Sequence, residues 1–251
     1  MITFVGAGPG ATDLITVRGK SALEEADVII YAGSLVNPEL LNYKKEECKV
    51  YNSAGMTLEE VTAVMLEAEK AGKNTVRLHT GDPSIYGAIR EQMDVLDSHN
   101  LPYAVVPGVS SFLGAAAALN AEFTLPGVSQ TVILTRLEGR TPVPEEEGIE
   151  KLASHRASMA VFLSASQLET LSEKLVAGGY APETPAAMVY KVTWPDEKIV
   201  RTTVDKLAEK ARENGFTKTT MVFIGDFLNT EYERSKLYDP SFTHGYRKAV
   251  R

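Results

Sequence analysis

Three glycine-containing loops follow three short apolar segments, and their residue types suit a ligand that is bound by main-chain atoms. The loops are Gly6–Gly10, Gly81–Pro83 and Pro107–Ser111. Glycine lacks a Cβ, so a ligand can approach the backbone N–H and C=O groups closely. The apolar segments are predicted to be parallel β-strands, and ligands of parallel α/β sheets bind at the carboxyl ends of the strands. The three loops therefore predict a ligand site at one edge of a sheet.

The first loop contains the spacing of a dinucleotide-binding fingerprint. Gly6, Gly8 and Ala11 satisfy the pattern G-x-G-x-x-A, in which the glycines admit a pyrophosphate to a helix N-terminus. A proline and a glycine stand where that helix should begin, and the second predicted strand ends at Tyr31 with no acidic residue for a ribose. A dinucleotide-dependent oxidoreductase is therefore the weaker alternative. The pattern of a P-loop, G-x-x-x-x-G-K-[ST], does not occur.

Side chains that would support other chemistry do not occur in the required patterns. The sequence has no G-x-S-x-G nucleophile motif, and its four histidines form no H-x-x-x-H pair. Cys48 is the only cysteine, which excludes an internal disulfide and a cysteine-rich metal centre. No protein-bound metal is expected.

Charge and hydropathy argue against a nucleic-acid-binding protein and against a membrane-spanning protein. The chain has 33 acidic and 26 basic residues, and its net charge of −7 argues against a nucleic-acid partner. No uncharged apolar run reaches the roughly 18 residues that a membrane span requires. The N-terminus MITFVGAGPG predicts a strand and a loop rather than a signal peptide. We therefore expect a cytoplasmic enzyme with no membrane partner.

Strands alternate with helices through the first half of the chain, which predicts an α/β domain over residues 1–120. The capping pair Thr57 and Glu60 marks the start of one helix. The predicted strands are Ile2–Val5, Asp27–Tyr31, Lys49–Tyr51, Thr75–His79 and Tyr103–Val106; the predicted helices are Val17–Ala26, Leu58–Ala71, Ala88–His99 and Ser110–Leu119.

A second α/β domain with a polar, aromatic tail is predicted over residues 121–251. Its strands are predicted at Thr131–Thr135, Met159–Leu163, Ala186–Tyr190, Ile199–Thr203 and Thr220–Ile224, and its helices at Gln167–Ala177 and Val204–Asn214. The turn Trp194–Asp196 between two of the strands predicts antiparallel pairing. Two prolines and three consecutive glutamates predict a loop at Arg136–Gly148.

The loop sequences resemble the signature loops of the tetrapyrrole methylases. The similar segments are VGAGPGATDLITVRG (Val5–Gly19), HTGDPSIYG (His79–Gly87) and VPGVSS (Val106–Ser111). Further segments resemble the branch of this family that methylates precorrin-4 or cobalt-precorrin-4 at C11 to give (cobalt-)precorrin-5 in cobalamin biosynthesis: Tyr31–Val36, Gln130–Glu145, Val189–Thr203 and Ser235–Lys248.

The resemblance implies two α/β domains with an active-site cleft between them, S-adenosyl-L-methionine as methyl donor, S-adenosyl-L-homocysteine as product, and a homodimer. The implied cofactor contacts are Pro9, Thr80, Gly81, Asp82, Ile85, Ser110 and Ser111 in the first domain, with Ser164 and Val192 in the second. Asp82 has a second possible role as a helix cap.

A tetrapyrrole substrate carries several carboxylates, so a chain of net charge −7 must bind it through a local group of cations. Arginine suits this role because its planar fork binds carboxylates bidentately. The candidates for substrate positioning are Arg136 and Arg140, followed by Arg18 and Arg90.

Two alternatives within the α/β class stay open. A paralogous methylase would share the glycine loops and methylate another ring carbon. An inert binding module would bind the cofactor without turnover.

Overall fold

The computed structural model describes residues 1–250 and divides the chain into two compact units. The first unit contains Met1–Ala115 together with Val192–Asp196, and the second contains Ala116–Lys191 and the described residues from Glu197 onward. Each unit contains one five-stranded sheet with helices. The predicted α/β fold class is confirmed.

The first unit is built on a parallel sheet with the strand order β3-β2-β4-β1-β5. Apolar residues line both faces of its central strands, as a parallel sheet covered by helices requires. The strands are β1 (Ile2–Gly6), β2 (Val28–Tyr31), β3 (Lys49–Asn52), β4 (Thr75–His79) and β5 (Tyr103–Val106); the helices are α1 (Val17–Glu25), α2 (Leu58–Lys70), α3 (Ile89–Ser98) and α4 (Ser111–Leu119).

Helix α2 begins where its capping sequence predicts. The hydroxyl of Thr57 accepts a hydrogen bond from the backbone N–H of Glu60, and the Glu60 carboxylate accepts one from the N–H of Thr57. This reciprocal pair satisfies two N–H groups that the helix itself leaves unpaired.

The second unit has a mixed sheet with the strand order β6-β7-β10-β8-β9. The first pair is parallel, and the other three pairs are antiparallel. The antiparallel pairing predicted around Trp194–Asp196 is confirmed for β8 and β9. The strands are β6 (Val132–Arg136), β7 (Ser158–Phe162), β8 (Pro185–Tyr190), β9 (Lys198–Thr203) and β10 (Thr220–Ile224); the helices are α5 (Ile149–Ala153), α6 (Leu168–Gly178) and α7 (Leu207–Asn214).

Helix α5 is not predicted from the sequence. It has five residues and buries only Ile149 and Ala153. A segment of this length is too short to show a helical period in the sequence. The stretch before it forms a single 3₁₀ turn at Glu145–Glu147, in the segment predicted as a loop. Among the described residues, no helix has the length and apolar character needed to cross a bilayer.

Strand β4 places three polar residues on one buried face of the first sheet. Thr75, Arg77 and His79 alternate with Val76 and Leu78, and all five are buried. Burial, together with the nearby Arg77 charge, lowers the pKa of His79 to about 3. His79 is therefore neutral at physiological pH, and within residues 1–250 its Nε2 atom has no hydrogen-bond partner.

We expect His79 to make the folded state sensitive to moderate acid. Its pKa in the folded chain lies below the ordinary value of 6.5, so the unfolded chain binds the proton more readily and stability falls as the pH drops below about 6.5. Urea unfolding should show that wild type loses about 2 kcal/mol more than His79→Gln between about pH 7 and pH 5. His155→Gln, at an exposed position, is the control and should match wild type. Equal pH dependence of wild type and His79→Gln would contradict the prediction.

Candidate functional site

The first two glycine loops are joined by main-chain hydrogen bonds. Gly8 donates to the carbonyl of Gly81 at 3.2 Å, and Gly81 donates back to Gly8 at 2.8 Å. The N–H of Ala7 also donates to the carbonyl of His79 at 2.7 Å. Gly81 has φ +60°, a left-handed conformation that glycine adopts without strain. The ends of β1 and β4 thus form one continuous backbone surface.

The third loop packs against the other two with no room for a side chain. A Cβ built on Gly108 would lie 2.2 Å from the carbonyl oxygen of Gly81 and 2.7 Å from the Cα of Gly6. These distances are far inside van der Waals contact. Glycine at Gly6 and Gly108 is therefore required for the three strand ends to meet.

Asp82 links the second loop to the third. One carboxylate oxygen accepts a hydrogen bond from the N–H of Gly108 at 2.8 Å, and the other accepts from the N–H of Ser84 at 2.8 Å. Partial burial raises the pKa of Asp82, but the hydrogen bonds from Ser84 and Gly108 outweigh it and hold the pKa below its ordinary value. The carboxylate caps no α-helix, since α3 begins at Ile89 after Ala88. Its structural role is to join two loops.

A fourth segment, Val192–Asp196, completes this part of the first unit. The N–H of Ala11 donates to the hydroxyl of Thr193 at 2.9 Å. A Cβ on Gly10 would lie 2.3 Å from Cδ1 of Trp194, so the indole covers that glycine directly. The amide of Asn37 donates to the carbonyl of Gly10 at 2.9 Å.

Sequence reasoning points to this segment only through the family resemblance, which implies a cofactor contact near Val192, and through Trp194 as an aromatic residue that could stack on a flat ligand. It predicts neither Asn37 nor Thr193 as a member of this cluster, and it predicts no packing of Trp194 on Gly10. The left-handed backbone of Lys191 (φ 46°) and Thr193 (φ 63°) marks the segment in the structure, but no sequence pattern predicts it for these residue types.

The structure brings eight of the nine predicted cofactor residues into the first unit. The expectation that Val192 lies in the second domain is wrong, because the segment Val192–Asp196 packs with the first unit. Pro9, Gly81, Ser110 and Val192 are buried. The other four, Thr80, Asp82, Ile85 and Ser111, are partly exposed. Val192 also packs towards Gly114, where an added Cβ would lie 2.9 Å from its Cγ1.

Ser164 lies in the second unit and is fully buried. Its hydroxyl accepts a hydrogen bond from the N–H of Leu137 at 2.9 Å and donates to the carbonyl of Phe162 at 2.7 Å. Both hydroxyl functions therefore serve the packing of this unit. The preceding residue, Leu163, is left-handed at φ 54° and 66% exposed, an unusual position for a large apolar residue.

Arg136 uses its guanidinium to shape the loop that follows β6. Nη1 donates to the carbonyls of Leu137 and Thr141 at 3.2 Å each, and Nη2 donates to the carbonyl of Pro142 at 2.9 Å. Arg140 stands at the exposed part of this loop. The two arginines therefore differ: the first holds the loop, and the second is available to solvent.

The remaining two arginine candidates lie on helices of the first unit. Arg18 is exposed on α1. Arg90 is exposed on α3 and forms ion pairs with Asp94 and with Asp97 at 3.7 Å. Its charge is partly balanced within its own helix.

The loop cluster has a distinctive charge pattern. Residues 6–11, 80–87, 107–111 and 192–196 contain no lysine, arginine or histidine, and their charged side chains are Asp82 and Asp196. Across the described part of the chain, no group of three or more histidine, cysteine, aspartate or glutamate residues is arranged to hold a metal ion. The cluster therefore combines glycine main chain with side chains that include no cation, and it suits a neutral or cationic ligand.

Comparisons with known proteins agree with the fold and the loops. The family model of the Tetrapyrrole (Corrin/Porphyrin) Methylases matches residues 1–208. Over 249 residues the chain is 54% identical to the cobalt-precorrin-4 C(11)-methyltransferase of Methanocaldococcus jannaschii, covering 99% of this chain and 96% of that protein. It is 49% identical to the protein of the same description from Priestia megaterium, covering 99% and 98%. A precorrin-4 C(11)-methyltransferase from Sinorhizobium is 39% identical, with 98% of each chain covered.

Solved structures give the same result. An X-ray structure of a cobalamin biosynthetic enzyme, cobalt precorrin-4 methyltransferase, superposes with a TM-score of 0.89 at 48% identity, covering 91% of this chain and 96% of that one. The uroporphyrin-III C-methyl transferase of Thermus thermophilus, solved with S-adenosyl homocysteine, has a TM-score of 0.76 at 25% identity, covering 93% and 95%. The chain therefore belongs to the tetrapyrrole methylases.

Proposed function

We propose that this protein is an S-adenosylmethionine-dependent methyltransferase that methylates cobalt-precorrin-4 at C11. The observation that carries the proposal is the similarity to two relatives of that description. They are 54% and 49% identical to this chain, and each alignment covers 99% of it. The relative described as acting on precorrin-4 is less similar, which favours the cobalt-containing substrate.

The chemistry of the loop cluster fits the proposed donor. S-Adenosylmethionine supplies, when bound, an electrophilic methyl group on a cationic sulfonium. A nearby cationic side chain would repel that charge, and the four loop segments contain none. Their carboxylates, Asp82 and Asp196, have the opposite sign. The N–H groups of Gly8, Gly81 and Gly108 are used within the cluster, but each main-chain carbonyl has a second lone pair that can accept from the polar parts of the donor.

In this proposal the residues of the chain act by orientation. Gly8 and Gly81 hold each other through paired hydrogen bonds, and Asp82 fixes the third loop through Gly108. Such a rigid surface holds the donor in one geometry, which replaces a bimolecular encounter with a positioned one. Pro9, Ile85 and Val192 are the apolar residues among the proposed contacts, and apolar side chains beside the donor would exclude water from the reacting atoms. No side-chain nucleophile is needed in this scheme.

The direct test is product analysis with an isotopically labelled donor. Incubation of the purified protein with cobalt-precorrin-4 and S-adenosylmethionine carrying a ¹³C-methyl group should yield a product labelled at C11, detected by NMR. Label at another ring carbon would instead identify a paralogous methylase. Binding of S-adenosylhomocysteine without any turnover would identify an inert module, and binding of NAD(H) in its place would identify the dinucleotide alternative.

Gly81→Val should weaken donor binding without unfolding the chain. A β-branched residue is strained at φ +60°, and its Cβ would lie 3.5 Å from the Cα of Ser110. We expect the Kd for S-adenosylhomocysteine to rise about tenfold or more, the equivalent of roughly 1–3 kcal/mol of backbone strain. Calorimetry measures the affinity, and circular dichroism checks the fold.

Gly55→Val provides the matched control for Gly81→Val. Gly55 belongs to the same unit, has no positive φ and has no atom within 4 Å of an added Cβ. Its variant should bind S-adenosylhomocysteine as wild type does. Equal affinity of Gly81→Val and wild type would show that this loop does not contact the donor.

Arg140 is proposed to bind a carboxylate of the tetrapyrrole. It is exposed on a loop that Arg136 holds in shape, and the net charge of −7 makes a local cation necessary. Arg140→Gln should raise the KM for the tetrapyrrole about fivefold or more, the loss expected for an exposed charged hydrogen bond. The Kd for S-adenosylhomocysteine should not change.

Arg212→Gln is the control for Arg140→Gln. Arg212 is an exposed arginine of the same unit, 3.6 Å from Glu169 on the surface. Its loss should leave both constants unchanged. An unaltered KM in Arg140→Gln would remove this residue from the substrate site.

The family resemblance further predicts a cytoplasmic homodimer. Light scattering coupled to size exclusion should give twice the chain mass of 27.3 kDa. A monomeric mass at micromolar concentration would contradict the dimer without affecting the proposed reaction.

A further inference from the structure

Strand β4 carries a charged side chain in the core of the first unit. Arg77 is 7% exposed; its Nε donates to the side-chain oxygen of Gln92 at 3.1 Å, and its Nη1 donates to the carbonyl of Ile30 at 3.2 Å. In the described chain no carboxylate lies within ion-pair distance of it. Burial lowers the pKa of Arg77 to about 10, so the group stays charged at neutral pH. A buried cation with two neutral partners is costly, and retaining it needs a reason.

Gln92 connects this cation to the segment that precedes helix α3. Gln92 is 5% exposed, and its amide nitrogen donates to the carbonyl of Ala88 at 3.0 Å. Its amide oxygen is the group that Arg77 binds. The side chain of Gln92 thus links β4 to Ala88. Because the guanidinium of Arg77 can only donate, it binds the amide oxygen and leaves the amide nitrogen to donate to Ala88.

The backbone at this point is strained. Tyr86 and Ala88 have φ values of 55° and 49°, the left-handed region that is unfavourable for both residue types. Gly87 between them has no space for a side chain, since an added Cβ would lie 2.1 Å from the carbonyl oxygen of Pro83. Strained backbone persists only where surrounding contacts determine it. The hydrogen bond from Gln92 to Ala88 is such a contact.

We propose that Arg77 and Gln92 are positioning residues that hold the left-handed turn at Ala88 and thereby set the shape of the donor-binding loop Thr80–Gly87. Asp82 fixes the beginning of that loop to Gly108, and Gln92 fixes its end. Arg77 binds its two acceptors through different nitrogens, Nε and Nη1, whose planar geometry is fixed, whereas lysine would have to reach both from a single nitrogen. The role of the loop in donor binding rests on the proposed function. The hydrogen bond from Gln92 to Ala88 is independent of it.

Two substitutions of Gln92 separate the proposed role from simple core packing. Gln92→Glu keeps an acceptor for Arg77, now as an ion pair, and loses the donor to Ala88. Gln92→Leu loses both hydrogen bonds. Both variants lose the hydrogen bond to Ala88. If that bond positions the loop, both should bind S-adenosylhomocysteine about tenfold more weakly, which is the free energy of about one hydrogen bond. Gln92→Glu should nevertheless retain the wild-type Tm.

Thr62→Val is the matched control for these variants. Thr62 is also a buried polar residue on a helix of the first unit, and its hydroxyl donates within α2 to the carbonyls of Leu58 and Glu59. Its substitution should leave affinity unchanged. The single tryptophan of the chain, Trp194, packs on Gly10 and serves as a fluorescence probe of binding beside calorimetry.

Hydrogen exchange of the ligand-free protein provides a readout that does not depend on the proposed function. Both Gln92 variants should exchange faster at the amides of residues 84–90, with the rest of the first unit of Gln92→Glu unchanged. Wild-type exchange and wild-type affinity in Gln92→Glu would overturn the proposal, as would a uniform rise in exchange with a lower Tm. Failure of the wild-type protein to bind S-adenosylhomocysteine would overturn the proposed function instead, and the exchange data would still decide whether Gln92 holds the turn.

Discussion

The absence of side chains where three strand ends meet is the constraint on which the first unit depends. Gly6, Gly81 and Gly108 approach so closely that a single methyl group on Gly108 would overlap the carbonyl oxygen of Gly81. Two main-chain hydrogen bonds between Gly8 and Gly81, and one that the Asp82 carboxylate accepts from Gly108, then fix the loops. Because the parallel sheet places these strand ends at one edge, the same constraint that closes the sheet also brings the main chain of three loops together there.

The positions of the charged side chains, rather than the net charge, determine the electrostatics of the first unit. The loop cluster has no cationic side chain, whereas the core beneath it contains the protonated Arg77 and the neutral His79. Partial burial raises the pKa of Asp82, but the hydrogen bonds that join its loop to the third one outweigh that effect and keep it ionised. The arrangement therefore combines two acidic side chains in the loop segments with a buried positive charge that donates to neutral acceptors.

Local sequence patterns predicted the parts of the fold that depend on local physics. The capping pair Thr57 and Glu60, the short apolar strands and the antiparallel pairing of β8 with β9 all appear as expected, with strand boundaries displaced by a residue or two. The prediction of parallel strands, each followed by a glycine loop, also placed the three loops at one sheet edge. These features are encoded within a few residues of where they occur.

Features that depend on contacts between distant residues were not predictable in this way. The packing of Trp194 on Gly10 joins residues far apart in the chain, and no periodicity marks it. Arg136 was expected to face a substrate or solvent, and its three acceptors are carbonyl groups of its own loop, whose positions exist only after folding. The hydrogen bonds that connect Arg77 through Gln92 to Ala88 could not be predicted either, because Arg77 and Gln92 meet only after folding.

The late segment Val192–Asp196 has a consequence for how the protein is made. Synthesis proceeds from the N-terminus, so the first five strands emerge before β6, β7 and β8, yet the residues that cover Gly10 and bond to Ala11 follow all of these. A nascent chain that ends at Ala115 holds every strand of the parallel sheet and still lacks one wall of its own loop cluster. The first unit therefore begins to fold first, but it can be completed only after residues 116–191 of the second unit have been synthesised.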